Sequence, residues 1–455
     1  LNSGLDTQRV NFLIYTGGSR YWHNGIPSDC NVIYQVTGAE AEIVAYTDTP
    51  ANMGDPATFL DFLTYSYTNF PAKHYGLICW DHGAGPLGGY GFDELFPNDR
   101  LYLQEMAAAF AASPVAKQKL DFLGFDACLM ATMEVAEMAD NYANFLIASE
   151  ETEPGCGWDY SFLKTMNSTS DTKTIADSIL RTYEDYMGLY RVTPKYTLSV
   201  MDLSKLGSFR SAADKFFAKL EQGVKGGSYS AIAQARNKTL RFGQTASTPY
   251  DLIDMGHMTT NLKSICSSEA SALQSALKQL VVKQVSNIQN TSGLAIYFPY
   301  DSKETYTALG ADFHKDLSEC AGYESFVAAF TDYWINGEPA ASFTEHEVVQ
   351  PEVVTPTVPE ETTPPPPSAT EPSAPAAPQF NGASVQLNAQ QLANLSEVTY
   401  TIFRADTDRS SGQTVYISVE PYRNFYMAEE YHQDYYRKHP EEFRKEMIDS
   451  GRIRQ

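Results

Sequence analysis

The chain has 455 residues, with 33 Lys and Arg against 56 Asp and Glu, and a formal net charge of −23. That balance excludes a general basic face for nucleic acid and disfavours docking on an anionic membrane, while leaving mild attraction of basic substrates open. No apolar run reaches the roughly 18 residues of a bilayer span, and six scattered cysteines without a Cys-x-x-Cys pair suit neither a disulfide scaffold nor a zinc centre.

Leu1 to Arg9 form a polar stretch that leads straight into an apolar run, so no targeting segment is expected within this chain. Val10–Tyr15, closed by Thr16-Gly17-Gly18, predicts a strand and a turn. Val32–Val36 and Ile43–Tyr46 read as further strands. Asp55 followed by Pro56 supplies an N-cap and a first helical residue, so a helix is expected from there to about Thr68. Tyr75–Trp80 is a compact apolar strand broken by Asp81-His82-Gly83-Ala84-Gly85. Leu101–Ala112 is helical in composition, with Asp99 as its candidate cap. Leu120–Phe125 reads as a buried strand ending at Asp126-Ala127-Cys128, and helix formers fill Leu129–Ala139. Asn144–Ala148 is again strand-like. Ile175–Met187 and Lys205–Leu220 predict helices around a strand at Tyr196–Met201, and Leu294–Phe298 is a late strand stopped by Pro299. Short apolar strands alternating with helices predict an α/β fold, a mostly parallel central sheet covered on both faces.

This unit is expected to occupy residues 1–340. Between Pro351 and Pro378 lie ten of the 24 prolines and no Lys or Arg. That composition predicts a semi-rigid extended linker, bounded at 341–379. A small β-containing segment is expected at 380–414, and a charged, tyrosine-rich tail at 415–455.

Two polar residues occupy equivalent places, each just past the C-terminal end of a buried strand: His82 and Cys128. In open parallel sheets that edge is where ligands bind. If the two strands are neighbours, an imidazole and a thiol face each other there. A neutral thiol is only slightly ionised at neutral pH, and a nearby imidazole can activate it or handle a leaving group's proton. Gly83 and Gly85 let backbone pass close to a substrate. Their N–H groups, with that of Cys128 at the expected helix start, are candidates for binding an oxyanion. Asp126 projects to the same face as Cys128 if the extended conformation continues, where a carboxylate could read a cationic side chain. The plainer readings are a small core cysteine, a histidine capping a turn, and Asp126 as a helix N-cap.

The motifs NMGDPAT (52–58), WDHGAG (80–85), GFDE (91–94), DFLGFDACLMATMEVA (121–136), ASEETEPGCGWDY (148–160) and GLAIYFPY (293–300) resemble the clostripain-like family of cysteine peptidases. The resemblance covers most of residues 8–335. A similar Ala-Cys nucleophile with its histidine about 50 residues upstream marks caspases. The family implies a caspase-like fold, a His/Cys dyad and cleavage after Arg or Lys. Carried over by position, His82 is the general acid/base, Cys128 the nucleophile, and Asp126 the floor of the S1 pocket. Such enzymes often mature by self-cleavage after a basic residue between the two. Arg100, after the turn-like Pro97-Asn98-Asp99, is the candidate by loop exposure, ahead of Lys117 and Lys119. Cys156 sits in a loop suited to lining S1, yet it supplies no second carboxylate and has no accompanying histidine. The chemistry requires no cofactor. Calcium dependence occurs in the family, and Glu150, Glu151 and Glu153 are candidate ligands, although such a stretch is more often a solvated loop. The resemblance further implies peptide or protein substrates and a secreted or cell-surface bacterial setting. His257 reads as structural, and His23 and His74 receive no role. Trp80 and Trp158 either wall the cleft or pack the core. An inactive peptidase-like binding or adhesion module, tethered by the linker, is the alternative.

The tail carries a second resemblance. NFYMAEEYHQDYYRKHPEEF (424–443) and SGR (450–452) look like the C-terminal end of A-type peptide methionine sulfoxide reductases. That family's Gly-Cys-Phe-Trp nucleophile motif occurs nowhere in the chain. The matching stretch of about thirty residues is too short to bury its own core. It reads as an orphan fragment joined near Asp406–Gln413, with no reductase activity and with His432 non-catalytic.

Overall fold

A computed structural model describes residues 5–337, apart from 23–24, 39, 97–98, 168–169, 191–193, 244–249, 304–305 and 308–318, and four short strands between 379 and 419. In chain order the first unit holds strands β1 (Leu13–Thr16), β2 (Val32–Val36), β3 (Ala41–Tyr46), β4 (Gly76–Trp80), β5 (Leu120–Asp126), β6 (Ala143–Ala148), β7 (Thr197–Asp202), β8 (Arg241–Phe242), β9 (Leu252–Asp254), β10 (Val281–Ser286) and β11 (Ala295–Tyr297). Its helices are α1 (Pro56–Asn69), α2 (Gly85–Gly88), α3 (Leu103–Ala112), α4 (Met133–Asp140), α5 (Thr172–Met187), α6 (Leu206–Gly223), α7 (Tyr229–Lys238), α8 (Met255–Asn261), α9 (Ser267–Leu280) and α10 (Ala321–Asn336).

The central sheet has five strands in the order β10-β7-β6-β5-β4. It is mixed: β4, β5 and β6 run parallel, whereas β7 and β10 pair antiparallel. The three parallel strands end at one edge, where the sequence places His82 and Cys128. β1–β2–β3 form a separate antiparallel meander, and β11–β9–β8 a third sheet. The late strand expected around residue 296 thus joins the third sheet.

β5 is buried on both faces, which explains its unbroken apolar run. Leu123 and Phe125 pack with Met106, Phe110, Val135 and Leu146 on one side; Phe122 packs with Ile147, Phe162, Ile179 and Leu198 on the other. Each such fully buried side chain contributes about 1.5–3 kcal/mol relative to exposure.

Helix starts follow the cap chemistry in part. The Asp55 side chain accepts from the Ala57 N–H at 2.8 Å, with Pro56 first in α1, as expected. Asp99 does not cap α3. It accepts from its neighbour Arg100 and from Asn52, while Tyr102 takes the N-cap position and Glu105 accepts the Tyr102 N–H at 3.0 Å. The helix expected from Leu129 begins only at Met133, capped by Thr132. The intervening segment is held extended by tertiary pairing: Ala131 donates to the Ser149 carbonyl and Ala295 donates to the Ala131 carbonyl, each at 2.8 Å. Leu129 adopts φ 65°, a left-handed turn directly after Cys128.

The second unit contains two antiparallel hairpins, β12 (Gln379–Asn381) with β13 (Ser384–Gln386) and β14 (Ile402–Thr407) with β15 (Thr414–Val419). The proline-rich linker and most of the tail lie outside the described residues. Among the described residues no helix is long and apolar enough to cross a membrane.

Candidate active site

β4 and β5 pair in register, with Trp80 opposite Asp126. His82 and Cys128 each follow two residues later, so equivalent steps past adjacent strand ends bring their backbones together. The contact is direct: a Cβ built on Gly83 would lie 2.0 Å from the Cys128 carbonyl oxygen and 3.0 Å from its nitrogen. Only glycine fits there. Gly83 pairs with Tyr90 through two hydrogen bonds, Gly91 N–H to the His82 carbonyl (2.8 Å) and Ala84 N–H to the Gly89 carbonyl (3.0 Å). That bridge does not use the Gly83 N–H. His82 is exposed and meets Phe92 edge-on, ring centroids 6.4 Å apart. Asp81 accepts the main-chain N–H groups of His82 (2.6 Å) and Phe92 (3.2 Å), tying the histidine loop to its partner strand.

Cys128 is partly buried, and its sulfur accepts the Glu153 N–H at 3.1 Å. The other five cysteines are poor nucleophiles on charge grounds. Burial pushes the thiols of Cys79, Cys266 and Cys320 up to about 12, and also raises Cys30 and Cys156. Cys128 does not sit at the N-terminus of α4 as the sequence suggested, because α4 starts only at Met133.

Asp126 is 4 % exposed and caps no helix. Its two oxygens each accept the Trp158 N–H at 3.1 Å, and Oδ2 accepts the Tyr160 hydroxyl at 3.0 Å. Burial raises its pKa, partly offset by the Trp158 N–H and by hydrogen bonds from Glu153 and Tyr160. Gly157, at φ 64°, lies against it: a Cβ there would come within 2.9 Å of both carboxylate oxygens.

The acidic trio is neither solvated nor a calcium cluster. Glu150 is fully buried and accepts from Gly293; Glu151 accepts from Gly243; Glu153 is buried against Asp126 and Trp158. The three carboxyls point to three different partners, a donor set that does not fit one calcium ion. Among the described residues no group of three or more His, Cys, Asp or Glu is gathered for a metal.

Arg100 is half-buried rather than exposed, and its guanidinium reaches the Gly88 carbonyl at 3.4 Å. Trp80 is 55 % exposed beside the strand end, whereas Trp158 packs the core. His257 is structural: its Nδ1 accepts the Leu240 N–H at 3.0 Å. His74 pairs with Asp121 at the surface. His23, Pro97, Asn98 and His432 lie outside the described residues. Sequence reasoning offered Glu153 only as a calcium ligand and missed its place beside Asp126 and the Cys128 sulfur. The available signal was its place just past β6, the third parallel strand, at the same sheet edge as His82 and Cys128.

The profile of the clostripain family matches residues 5–334. The chain belongs to the clostripain family. Clostripain of Hathewaya histolytica is 26 % identical over 326 residues, covering 58 % of this chain and 61 % of that protein. The chain thus spans about three-fifths of that relative's length. Two solved structures share the fold. One is a secreted cysteine protease of Bacteroides thetaiotaomicron in complex with an irreversible peptide inhibitor, TM-score 0.54 at 17 % identity, covering 71 % of this chain and 92 % of that one. The other is an inactive zymogen protease from Parabacteroides distasonis, TM-score 0.51 at 20 % identity, covering 70 % and 91 %. At the C-terminus the profile of peptide methionine sulfoxide reductase matches residues 378–454, a longer stretch than the tail motifs alone. A peptide methionine sulfoxide reductase of Picrophilus torridus is 57 % identical over 28 residues, covering 6 % of this chain and 16 % of that protein.

Proposed function

We propose that this clostripain-family chain is a cysteine endopeptidase that cleaves peptide or protein substrates after Arg or Lys. The observation that carries the reading is the contact between the Gly83 and Cys128 backbones, which sets His82 and Cys128 on adjoining strand ends. Cys128 attacks the scissile carbonyl as a thiolate and forms a tetrahedral oxyanion. The N–H groups of Gly83 and Cys128 bind that oxygen. His82 protonates the leaving amine, then activates the water that hydrolyses the acyl-enzyme. Asp126 receives the basic P1 side chain. This assignment is supported by its chemistry: it is a buried carboxyl with no Lys, Arg or His ion pair among the described residues, and buried charge demands a partner.

Maturation by cleavage after Arg100 and secretion belong to the same proposal. Because Arg100 is half-buried, its segment must open before it is cut. Cleavage of Arg, Lys and Ala P1 reporters by wild type and Cys128→Ala tests the assignment. Loss of all turnover in the variant supports it. Equal turnover in both rules out Cys128 as the nucleophile; no turnover of any reporter and no labelling of Cys128 by an Arg-directed acyloxymethyl ketone leave the inactive binding module instead.

A further inference from the structure

We propose that Glu153 is a second specificity-determining carboxyl, which shares recognition of the basic P1 side chain with Asp126. The inference rests on the reading of Asp126 as the S1 floor. Glu153 is 7 % exposed. Its Oε1 accepts the Trp158 indole N–H at 3.2 Å, and no donor reaches its buried Oε2. Trp158 holds the Glu153 carboxyl beside Asp126, with the indole N–H on Glu153 and the main-chain N–H on Asp126. Two buried carboxyl groups side by side without a cation do not both ionise, so one of them holds a proton. Burial and then the Asp126 charge raise Glu153 well above the ordinary range, so Glu153 holds that proton.

Around the pair stand the phenols of Tyr90 and Tyr160 and the thiols of Cys79 and Cys156, with the Asp81 carboxyl beyond Tyr90. None brings a positive charge, and neither carboxyl has an ion-pair partner among the described residues. The pair is therefore buried acid without a counter-ion among the described residues, Asp126 at the end of β5 and Glu153 on a loop whose main chain also contacts the Cys128 sulfur. A guanidinium or ammonium that reaches Asp126 supplies the missing charge. Its field favours ionised Glu153. The Glu153 O–H bond breaks, the proton passes to solvent, and two carboxylates face the cation. Cys156, at the tip of the same loop, offers no carboxylate; Glu153 supplies one from the base of the loop.

Binding of a basic P1 side chain is then linked to proton release. Calorimetry on Cys128→Ala, titrated with an Arg-terminated peptide in two buffers of different ionisation enthalpy, reads that proton without any chemistry at the sulfur. About one proton released per peptide bound is expected; none released overturns the proposal. The near-isosteric Glu153→Gln keeps the shape of the side chain but cannot ionise. In the active enzyme it is expected to raise KM for Arg and Lys reporters about tenfold, to cut the Arg-over-Ala specificity ratio to match, and to flatten the fall of KM with rising pH. Stoichiometric ketone labelling of Cys128 verifies that the variant is folded. An unchanged ratio and pH slope in Glu153→Gln, with Asp126→Ala losing basic preference, sinks Glu153 alone. Basic preference retained in Asp126→Ala sinks the S1 reading and this proposal together.

Discussion

The Glu153 main-chain N–H donates to the Cys128 sulfur at 3.1 Å, and the Glu153 carbonyl lies 3.8 Å from the same atom. A hydrogen bond to a charged acceptor contributes about 1.5–3 kcal/mol, so this one holds the sulfur in place and supports it as a nucleophile. Replacing Glu153 by Pro removes the donor; Glu153→Ala removes only the carboxyl. At a fixed pH, iodoacetamide should alkylate Cys128 more slowly in the proline variant than in the alanine variant. Equal rates would show that the bond does not support the nucleophile.

Gly83 is expected to tolerate no side chain. A methyl group would overlap the Cys128 carbonyl oxygen, which is backbone and cannot swing away. Gly83→Ala must therefore push the two strand ends apart by an ångström or more. Misplacement on the order of 1 Å at reacting groups costs about a hundredfold in rate. We expect kcat/KM to fall by about that factor while far-ultraviolet circular dichroism stays native. Full activity in Gly83→Ala would contradict the close approach.

Much of this arrangement was legible in the sequence because the parallel strands announce themselves. Tyr75–Trp80 and Leu120–Phe125 are short apolar runs closed by polar residues, and a buried parallel strand has no other way to end at a ligand-binding edge. What stayed hidden depends on contacts between distant segments. Leu129, Met130 and Ala131 are good helix formers, yet Leu129 turns left-handed while bonding to Glu151, and Ala131 pairs with Ser149 and Ala295, which delays α4 to Met133. Local propensity is worth a few tenths of a kcal/mol per residue and yields to such pairing. Glu150, Glu151 and Glu153 look alike in sequence, and only burial reveals that one meets Gly293, one Gly243 and one Asp126.

Glu150 gives a pH prediction that is independent of catalysis. Its Oε2 accepts the Gly293 N–H at 3.0 Å, and it also faces the carboxyl of Asp254, which Ser292 and His257 bind. Burial first, and then the Asp254 charge, raise Glu150 well above its ordinary value; Asp254 is raised by burial as well. The native state thus holds a proton that the unfolded chain has lost above the ordinary glutamic acid range. Unfolded chains bind fewer protons there, so stability falls as pH rises. The contribution is complete below the ordinary Glu pKa and is lost as pH climbs through the raised one, by up to about 1.4 kcal/mol per pH unit for one proton. Urea unfolding midpoints measured from acid to alkaline pH should show this decline in wild type and a shallower one in Glu150→Gln. Parallel curves would place the shared proton elsewhere.

Arg236 anchors the third sheet by charge. It is fully buried, pairs with Asp251, reaches Asp301 at 2.8 Å, and donates to the Phe298 carbonyl at 2.9 and 3.2 Å. Burial pushes Asp251 up to about 7, against the lowering pull of Arg236. Removing the guanidinium leaves that carboxyl buried without its counter-charge, a change that typically costs about 3–5 kcal/mol. Arg236→Met should lose stability of that order in urea, and adding Asp251→Asn should recover part of it. Asp251 directly precedes Leu252, whose methyl group would lie 3.0 Å from a Cβ on Gly85 in the histidine loop. Loosening this anchor should therefore also lower turnover, and the double variant should regain activity in step with stability. Activity that stays low while stability returns would mean that Arg236 acts on the histidine loop by a route other than the packing of Leu252.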